Sequence, residues 1–464
     1  MSLPVIRRAE QMQAPVHVSV AIVGAGACGL TAALMLSDAA VDCVVLERDA
    51  LPSGSTALSS GFVPAPCTRI QKAHGIEDSP QRFAQDIQAK AHGTAAPDLA
   101  VAYAAAIGPT LDALEAQHGL EFVLLDDFLY PGHSRHRMHA VPEKTGASLM
   151  ARLQQAAATL DLPILTHAHV IELWLNAQDK VIGVAFERPD GSIETLGCDV
   201  LILSCNGFGG NPVLVQELLP EMKDAIFAGH TGNDGSAIAW GRALGARLAD
   251  LGGYQGHGSW AIPQGALISW ALMMEGAVQI NALGQRFHNE TQGYSEAAVH
   301  VLAQPESVAW NVFDEDLLRF ARNFPDFCEA EAAGALKRCE DVMALSVLIG
   351  CNAETLGNTF NTITPGTQAP DGREFKRILQ KPFYAVKVTG ALFHTQGGLD
   401  IDVNCHVLHE GGQPFDNLLA AGGAARGVSG NAVWGYLSGN GLLSAMAGGY
   451  IAARSAVNLL KALP

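Results

Sequence analysis

Gly24, Gly26 and Gly29 stand at Gly-x-Gly-x-x-Gly spacing in Gly24-Ala-Gly-Ala-Cys-Gly29, and Glu47 ends the apolar run that follows. Residues of these types at this spacing bind a dinucleotide. Gly24 permits a tight turn, Gly26 lets the backbone approach a pyrophosphate, and Gly29 allows a helix to pack closely on a strand. The start of that helix offers free N–H groups and the positive end of its dipole to phosphate. Glu47 can then accept hydrogen bonds from a ribose. The elements that must position these residues follow in order: an apolar β-branched run from Val18, the glycine turn, a helix, and a second apolar run closing on the acid.

The 464 residues are enough for two domains, and 48% hydrophobic with 16% charged residues is the balance of a globular enzyme-like chain. A formal charge of −17 argues against nucleic acid and against an anionic membrane as partners, because both attract basic surfaces. The nine cysteines form no C-x-x-C pair and no zinc-like spacing, so the expectation is a reduced, cytoplasmic protein with buried thiols and no metal site. Cys28, inside the glycine turn, reads as a packing residue. The N-terminal stretch lacks an apolar core, and no run of ~18 uninterrupted apolar residues occurs, so neither secretion nor membrane insertion is expected.

Residues 1–15 read as a loose arm before the first strand. The segment Gly54-Ser-Thr-Ala-Leu-Ser-Ser-Gly61 is rich in small residues that suit backbone lying against a flat ligand. Helical patterns follow at about 81–119 and 144–160, then strand-like runs at 163–170, 181–188 and 199–203 with a turn at Pro189-Asp190-Gly191. A mixed, mainly helical stretch covers 236–380. Asp416 to Gly423 reads as a strand entering another glycine turn, and 441–460 as a long terminal helix. One dinucleotide unit at the start and a glycine turn near the end imply a split cofactor domain. FAD is large enough to need both pieces, and no second complete fingerprint exists to hold a separate nicotinamide.

Five segments, taken in order, resemble the flavoprotein superfamily of fumarate reductases, succinate dehydrogenase flavoproteins and 3-ketosteroid dehydrogenases. They are the opening unit with Glu47; Gly54 to Gly61; Leu201-Ile-Leu-Ser-Cys-Asn-Gly-Phe-Gly-Gly-Asn211; Thr231-Gly-Asn-Asp-Gly235; and Phe393-His-Thr-Gln-Gly-Gly-Leu399 continuing through Ala420-Ala-Gly-Gly423. The resemblance implies an α/β fold: a Rossmann-like FAD-binding domain split into residues 16–254 and 385–464, with an inserted α+β cap (substrate) domain at 255–384. It implies non-covalent FAD held by Gly24, Gly26, Gly29, Glu47, Ser55, Thr56, Ser60, Gly61, Asn206, Gly207, Asp234, Gly422 and Gly423.

Soluble fumarate reductases place two histidines and two arginines around a dicarboxylate. His257 in Tyr254-Gln-Gly-His257 resembles the first histidine and His394 the second, but both arginines are replaced. The proton-delivering position, four residues after Glu290, holds Tyr294, and the second arginine's position holds Tyr436. This pair resembles the tyrosines of 3-ketosteroid dehydrogenases. Guanidiniums bind carboxylates in bidentate fashion, which a phenol does poorly. A phenol can donate to a carbonyl becoming an enolate, and a second phenol of lowered pKa can take the α-proton.

The resemblance therefore implies FAD-dependent α,β-desaturation of a ketone, with a cyclic one expected. Tyr436 and a backbone N–H near Asn440 polarise the carbonyl, Tyr294 removes the proton, and an external acceptor reoxidises the flavin. His257 and His394 are substrate-binding candidates. In Tyr130-Pro-Gly-His133-Ser-Arg135-His136-Arg137, Tyr130 is a candidate pocket residue, and Arg135 or His133 a partner for a substrate carboxylate; a solvated turn is the competing reading. The alternatives are a reductase of an activated alkene such as an unsaturated carboxylate, and an electron-relay flavoprotein.

Overall fold

The computed structural model describes residues 5–462. Of the arm expected at 1–15, residues 1–4 lie outside the described residues. Val5–Arg8 is a strand paired in parallel with residues 172–175, because its Ile6 packs against the core. The elements used below are, in chain order, β1 (His17–Val23), α1 (Ala27–Asp38), β2 (Cys43–Leu46), β3 (Ile193–Leu203), β4 (Tyr254–Ala261), α2 (Tyr294–Leu302), β5 (Phe383–Thr395), β6 (Pro414–Ala420) and α3 (Asn440–Ala462).

The chain forms two compact units. The first comprises residues 1–218, 229–254 and 394–464, and the second 219–228 and 255–393. Two details set these limits apart from the sequence boundaries. Ile226–Phe227 pairs in parallel with Ala391–Leu392, so 219–228 goes with the second unit. A boundary at 384/385 would cut β5, which runs unbroken from Phe383 to Thr395.

In the first unit β1, β2 and β6 all lie parallel to β3, with β1 directly between β2 and β3. β1 and the second half of β3 are buried and apolar, as strands covered on both faces must be. α1 is apolar all round and packs on α3. Close approach is possible because a Cβ on Gly449 would stand 2.4 Å from the Cys28 carbonyl oxygen. Burial pushes the Cys28 thiol up to about 12, so it is an inert packing group. The helix Pro97–His118 is long and apolar enough, by length and composition, to cross a membrane, although the sequence holds no uninterrupted apolar run of that length. Leu99, Tyr103, Ile107, Leu111 and Leu114 bury one face of it in the first unit's core.

The second unit is built on a sheet ordered Ala266–Leu267, β4, β5, Val308–Phe313 and Val278–Asn281. α2 lies close to β4 and β5 at two glycines. A Cβ on Gly258 would be 2.6 Å from Ala297, and one on Gly390 2.6 Å from the Ala298 carbonyl oxygen.

Candidate active site

In the first unit the three fingerprint glycines divide the work by geometry. Gly24 has φ +102°, and a Cβ there would strike the Ser204 carbonyl oxygen at 2.5 Å; a Cβ on Gly29 would be 1.9 Å from the Gly24 carbonyl oxygen. Gly26 is different. A Cβ on it would meet only Thr56 Oγ1, at 3.9 Å. The turn and the packing thus require Gly24 and Gly29, while the backbone at Gly26 has open space beside it. Gly26 is also the N-cap of α1 and supplies no capping side chain, so that after Ala27, whose N–H is taken by Thr56 Oγ1, the next N–H groups of the helix are left for an anion.

Glu47 is buried, and its two carboxylate oxygens accept from the N–H groups of Ala25 (2.9 Å) and Asp49 (3.0 Å). The carboxylate is therefore fixed at the end of β2 and retains lone pairs for ribose hydroxyls. Thr56 Oγ1 accepts from the Ala27 N–H at 3.3 Å. Ser55 Oγ accepts from Asn206 Nδ2 (2.9 Å) and Asn233 Nδ2 (3.1 Å). Asn206 Oδ1 accepts from the Gly207 N–H at 3.0 Å, and a Cβ on Gly423 would lie 2.4 Å from that oxygen. Gly422, with φ +60°, turns beside Cys28. These residues converge on the start of α1 and fit the pyrophosphate and ribose of FAD.

Three further expected cofactor residues have these surroundings within the protein. Asp234 caps the following helix through Ser236 and pairs with Arg48 at 3.0 Å. Gly61 has φ +72° and passes 2.7 Å (at a would-be Cβ) from the Thr145 carbonyl oxygen, a close-approach position. Ser60 is exposed.

His394, at the end of β5, meets Tyr436 edge to face, with ring centroids 5.5 Å apart at 73°. A Cβ on Gly441 would be 2.9 Å from His394 Cε1 and Nε2 and 3.6 Å from the Tyr436 hydroxyl. Both polar edges therefore face the start of α3. The Asn440 N–H does not serve there, because it donates to the Leu437 carbonyl oxygen at 3.0 Å. The Gly441 and Leu442 N–H groups, the backbone donors next to Asn440, reach no acceptor among the described residues. The Asn440 side chain donates instead to Ser429 Oγ at 3.0 Å. Burial lowers the His394 pKa to about 4, against a smaller opposing pull from the Thr395 carbonyl.

The loop bearing Tyr436 is held from the side by His133, whose Nε2 lies 3.0 Å from the Ser438 carbonyl oxygen. Behind His133 the buried Arg137 binds Asp78 through two nitrogens, at 2.8 and 3.0 Å, and also pairs with Asp86. Burial, and then the charge of Arg137, push the His133 pKa down to about 4. His133 is thus a neutral clamp. Arg135 is exposed and donates to the carbonyl oxygens of Glu77 and Ser134. The two are therefore committed elsewhere, and Arg137, which the sequence did not single out, is the buried cation of this cluster. Tyr130 stands edge-on to Phe128 and Phe62, with centroids 5.0 and 5.9 Å away.

In the second unit, Tyr294 opens α2, which is tethered to β4 by Ser295 Oγ donating to the Gly256 carbonyl oxygen at 3.1 Å. His257, on β4, is stacked between Tyr294 (5.0 Å) and Phe393 (5.7 Å), with Trp270 edge-on at 5.8 Å. Its Nδ1 accepts from the Ser259 N–H at 3.1 Å, which leaves the proton on Nε2. Burial pushes its pKa down to about 3. The segment leading to Tyr294 is anchored by Glu290, fully buried between Arg286 and Arg373. Burial would raise the Glu290 pKa, but Arg373 and then Arg286 outweigh it and bring it to about 2. Arg286 also pairs with Asp371 at 3.0 Å, so two carboxylates balance the two guanidiniums of this anchor. Arg373 lies far along the chain in a stretch without a motif, so no sequence signal could have found it.

A family model described as "FAD binding domain" matches residues 19–442. The chain belongs to this FAD-binding family. It is an FAD-dependent oxidoreductase of the fumarate reductase and succinate dehydrogenase flavoprotein superfamily. It is similar to a probable fumarate reductase, Ifc3, of Shewanella frigidimarina (strain NCIMB 400), 27% identical over 452 residues that cover 94% of this chain and 74% of the relative. The fold matches the open conformation of a flavocytochrome c3 fumarate reductase at TM-score 0.83 and 25% identity, covering 96% of this chain and 79% of that one. It also matches a 3-ketosteroid-Δ4-(5α)-dehydrogenase of Rhodococcus jostii RHA1 at TM-score 0.78 and 23% identity, covering 98% and 100%. That last likeness concerns fold.

Proposed function

We propose that this flavoprotein desaturates a ketone between its α and β carbons, with a small cyclic ketone as the class of substrate. The observation that supports the reading is the approach of the Tyr436 hydroxyl and the neutral His394 edge to Gly441 at the start of α3, where the N–H groups of Gly441 and Leu442 reach no acceptor among the described residues. Such a spot holds a single carbonyl oxygen as it gains negative charge. Among the described residues named at that spot there is no guanidinium to pair a carboxylate bidentately.

Bound FAD supplies the hydride acceptor. Tyr436 donates to the carbonyl oxygen and lowers the barrier to removing the adjacent proton, an effect worth ~3–4 kcal/mol per oxyanion donor. Tyr294 takes the α-proton. The ring of His257, uncharged and stacked on Tyr294, holds the phenol in one orientation without adding a positive charge that a carboxylate could use. An external acceptor completes the turnover.

The test is anaerobic mixing of the oxidised holoenzyme with a panel of cyclic ketones, read by flavin bleaching. Tyr294→Phe is expected to bind FAD normally and to slow bleaching ~10²–10⁴-fold, the usual contribution of a general base. Bleaching of that variant at the wild-type rate would overturn Tyr294 as the base. A second reading, reduction of an activated alkene, is favoured by the name of the Shewanella relative. Rapid reoxidation of the chemically reduced flavin by unsaturated carboxylates, with no bleaching by ketones, would select it.

A further inference from the structure

A chain of three hydrogen bonds runs one way toward His394. Asn440 Nδ2 donates to Ser429 Oγ at 3.0 Å, Ser429 Oγ donates to Gln396 Oε1 at 2.8 Å, and Gln396 Nε2 donates to His394 Nδ1 at 3.2 Å. Asn440, Ser429 and Gln396 are all buried. A hydroxyl has one proton, so Ser429, giving it to Gln396, can only accept from Asn440. Gln396, with its oxygen occupied by that proton, presents its amide nitrogen to the imidazole. A ring nitrogen that accepts is bare, and the proton of a neutral ring then sits on Nε2. The opposite tautomer has the Thr395 carbonyl oxygen as its acceptor, 3.3 Å from Nδ1. Adopting it as a donor beside Gln396 would require the Gln396 amide to turn over and Ser429 to stop donating to it.

We propose that Gln396 is a positioning residue that, backed by Ser429 and Asn440, holds His394 as the Nε2–H tautomer, so that His394 and Tyr436 present two uncharged donors to one oxygen over Gly441. The ligand in this statement rests on the ketone reading above; the tautomer does not. Two neutral donors with no cation discriminate for an uncharged carbonyl and against a carboxylate, whose full charge calls for a charge-assisted partner. Gln396 sits in Phe393-His-Thr-Gln-Gly-Gly398, next to a residue with obvious chemistry but showing no chemistry of its own.

The holoenzyme labelled with ¹⁵N-histidine tests this directly, since ring nitrogens with and without a proton resonate far apart. His394→Gln identifies the signals. The expected wild-type pattern is a bare Nδ1 and a protonated Nε2. In Gln396→Glu the carboxylate can only accept, so it still takes the Ser429 proton but demands a proton on Nδ1, and the pattern inverts. Gln396→Met removes the donor and loses the wild-type pattern, which covers the case in which the glutamate variant does not fold. A wild-type ring protonated on Nδ1, or an unchanged pattern in either variant, overturns the proposal. With a bleaching ketone, Gln396→Glu is expected to lose ~10²-fold in kcat/KM, the cost of one misdirected oxyanion donor, at unchanged FAD affinity. If no ketone bleaches the wild type, the ketone reading fails while the tautomer result stands by itself.

Discussion

His257 lies flat against Tyr294, with ring centroids 5.0 Å apart and planes within 18° of each other. The Ser259 N–H donates to Nδ1, and burial holds the pKa at about 3, so the imidazole stays neutral throughout the range in which enzymes work. A histidine in an active site invites assignment as the titrating group of a pH–rate profile. Here that assignment fails. His257→Phe keeps the stacked ring and removes only the Nε2–H, and is expected to lower the rate of flavin bleaching while leaving the shape of its pH profile between pH 5 and 9 unchanged. A pKa that disappears from the profile of this variant would show that His257 titrates.

Acid should weaken the fold well before carboxylates protonate. His133, His139, His257 and His288 are all buried, with pKa values of about 4, 4, 3 and 4 set first by burial. In the unfolded chain each returns to ~6.5. The unfolded state therefore binds more protons between these limits, so stability is fully present above ~6.5 and is lost as pH falls toward 4, by ~1 kcal/mol per pH unit for each histidine. Glu290 adds a second loss at lower pH: its folded pKa of about 2 lies below the ordinary 4.5, so its contribution is present above 4.5 and disappears as pH falls through 2. Tm measured at pH 7, 6 and 5 should fall increasingly steeply; a flat Tm across that range contradicts the buried neutral histidines.

The glycines of the fingerprint should separate by experiment as they do by geometry. Gly29→Ala places a Cβ 1.9 Å from the Gly24 carbonyl oxygen and is expected to prevent folding. Gly26→Ala meets nothing nearer than 3.9 Å within the protein. It should fold with wild-type secondary structure but bind FAD more weakly, by ~10-fold or more if the methyl costs one phosphate contact of ~1.4 kcal/mol. Fluorescence titration of apoprotein with FAD measures this, and undiminished affinity would mean that no pyrophosphate approaches Gly26.

Gly441→Ala fills the space between His394 and Tyr436. The new Cβ would stand 2.9 Å from the imidazole edge and 3.6 Å from the hydroxyl. Alanine is the better helix former by ~1 kcal/mol, so the fold itself should tolerate the change once His394 shifts slightly. Turnover is expected to fall ~10²-fold with FAD still bound, because the methyl occupies the place of a carbonyl oxygen. Unimpaired turnover would put the substrate oxygen elsewhere.

Local pattern carried a large part of this protein. The dinucleotide unit from Val18 to Glu47 is contiguous, and its spacing alone predicts a turn, a helix start and a fixed acid, because each depends on neighbours a few residues away. The split of the FAD-binding region was legible for a similar reason, as two glycine turns lie at its two ends. The arm at Val5–Arg8 was missed because its strand exists only through pairing with residues 172–175, a partner far along the chain.

What only the tertiary structure decided is how each polar group is used. The backbone donor expected near Asn440 is not that of Asn440 itself, whose N–H turns back to Leu437; among the described residues the N–H groups without an acceptor are those of Gly441 and Leu442. Arg135 and Arg137 are equivalent as letters. One is exposed, and the other is buried on Asp78 and Asp86 because the fold brings those carboxylates to it. The protonation and tautomer of His257 and His394 likewise depend on burial and on donors such as Ser259 and Gln396, which follow from packing. The sequence by itself determined that FAD is bound, and its family resemblance implies that two phenols stand where arginines might. The tertiary structure decided that the histidines beside those phenols are uncharged, since desolvation is a property of a three-dimensional environment and not of residue type.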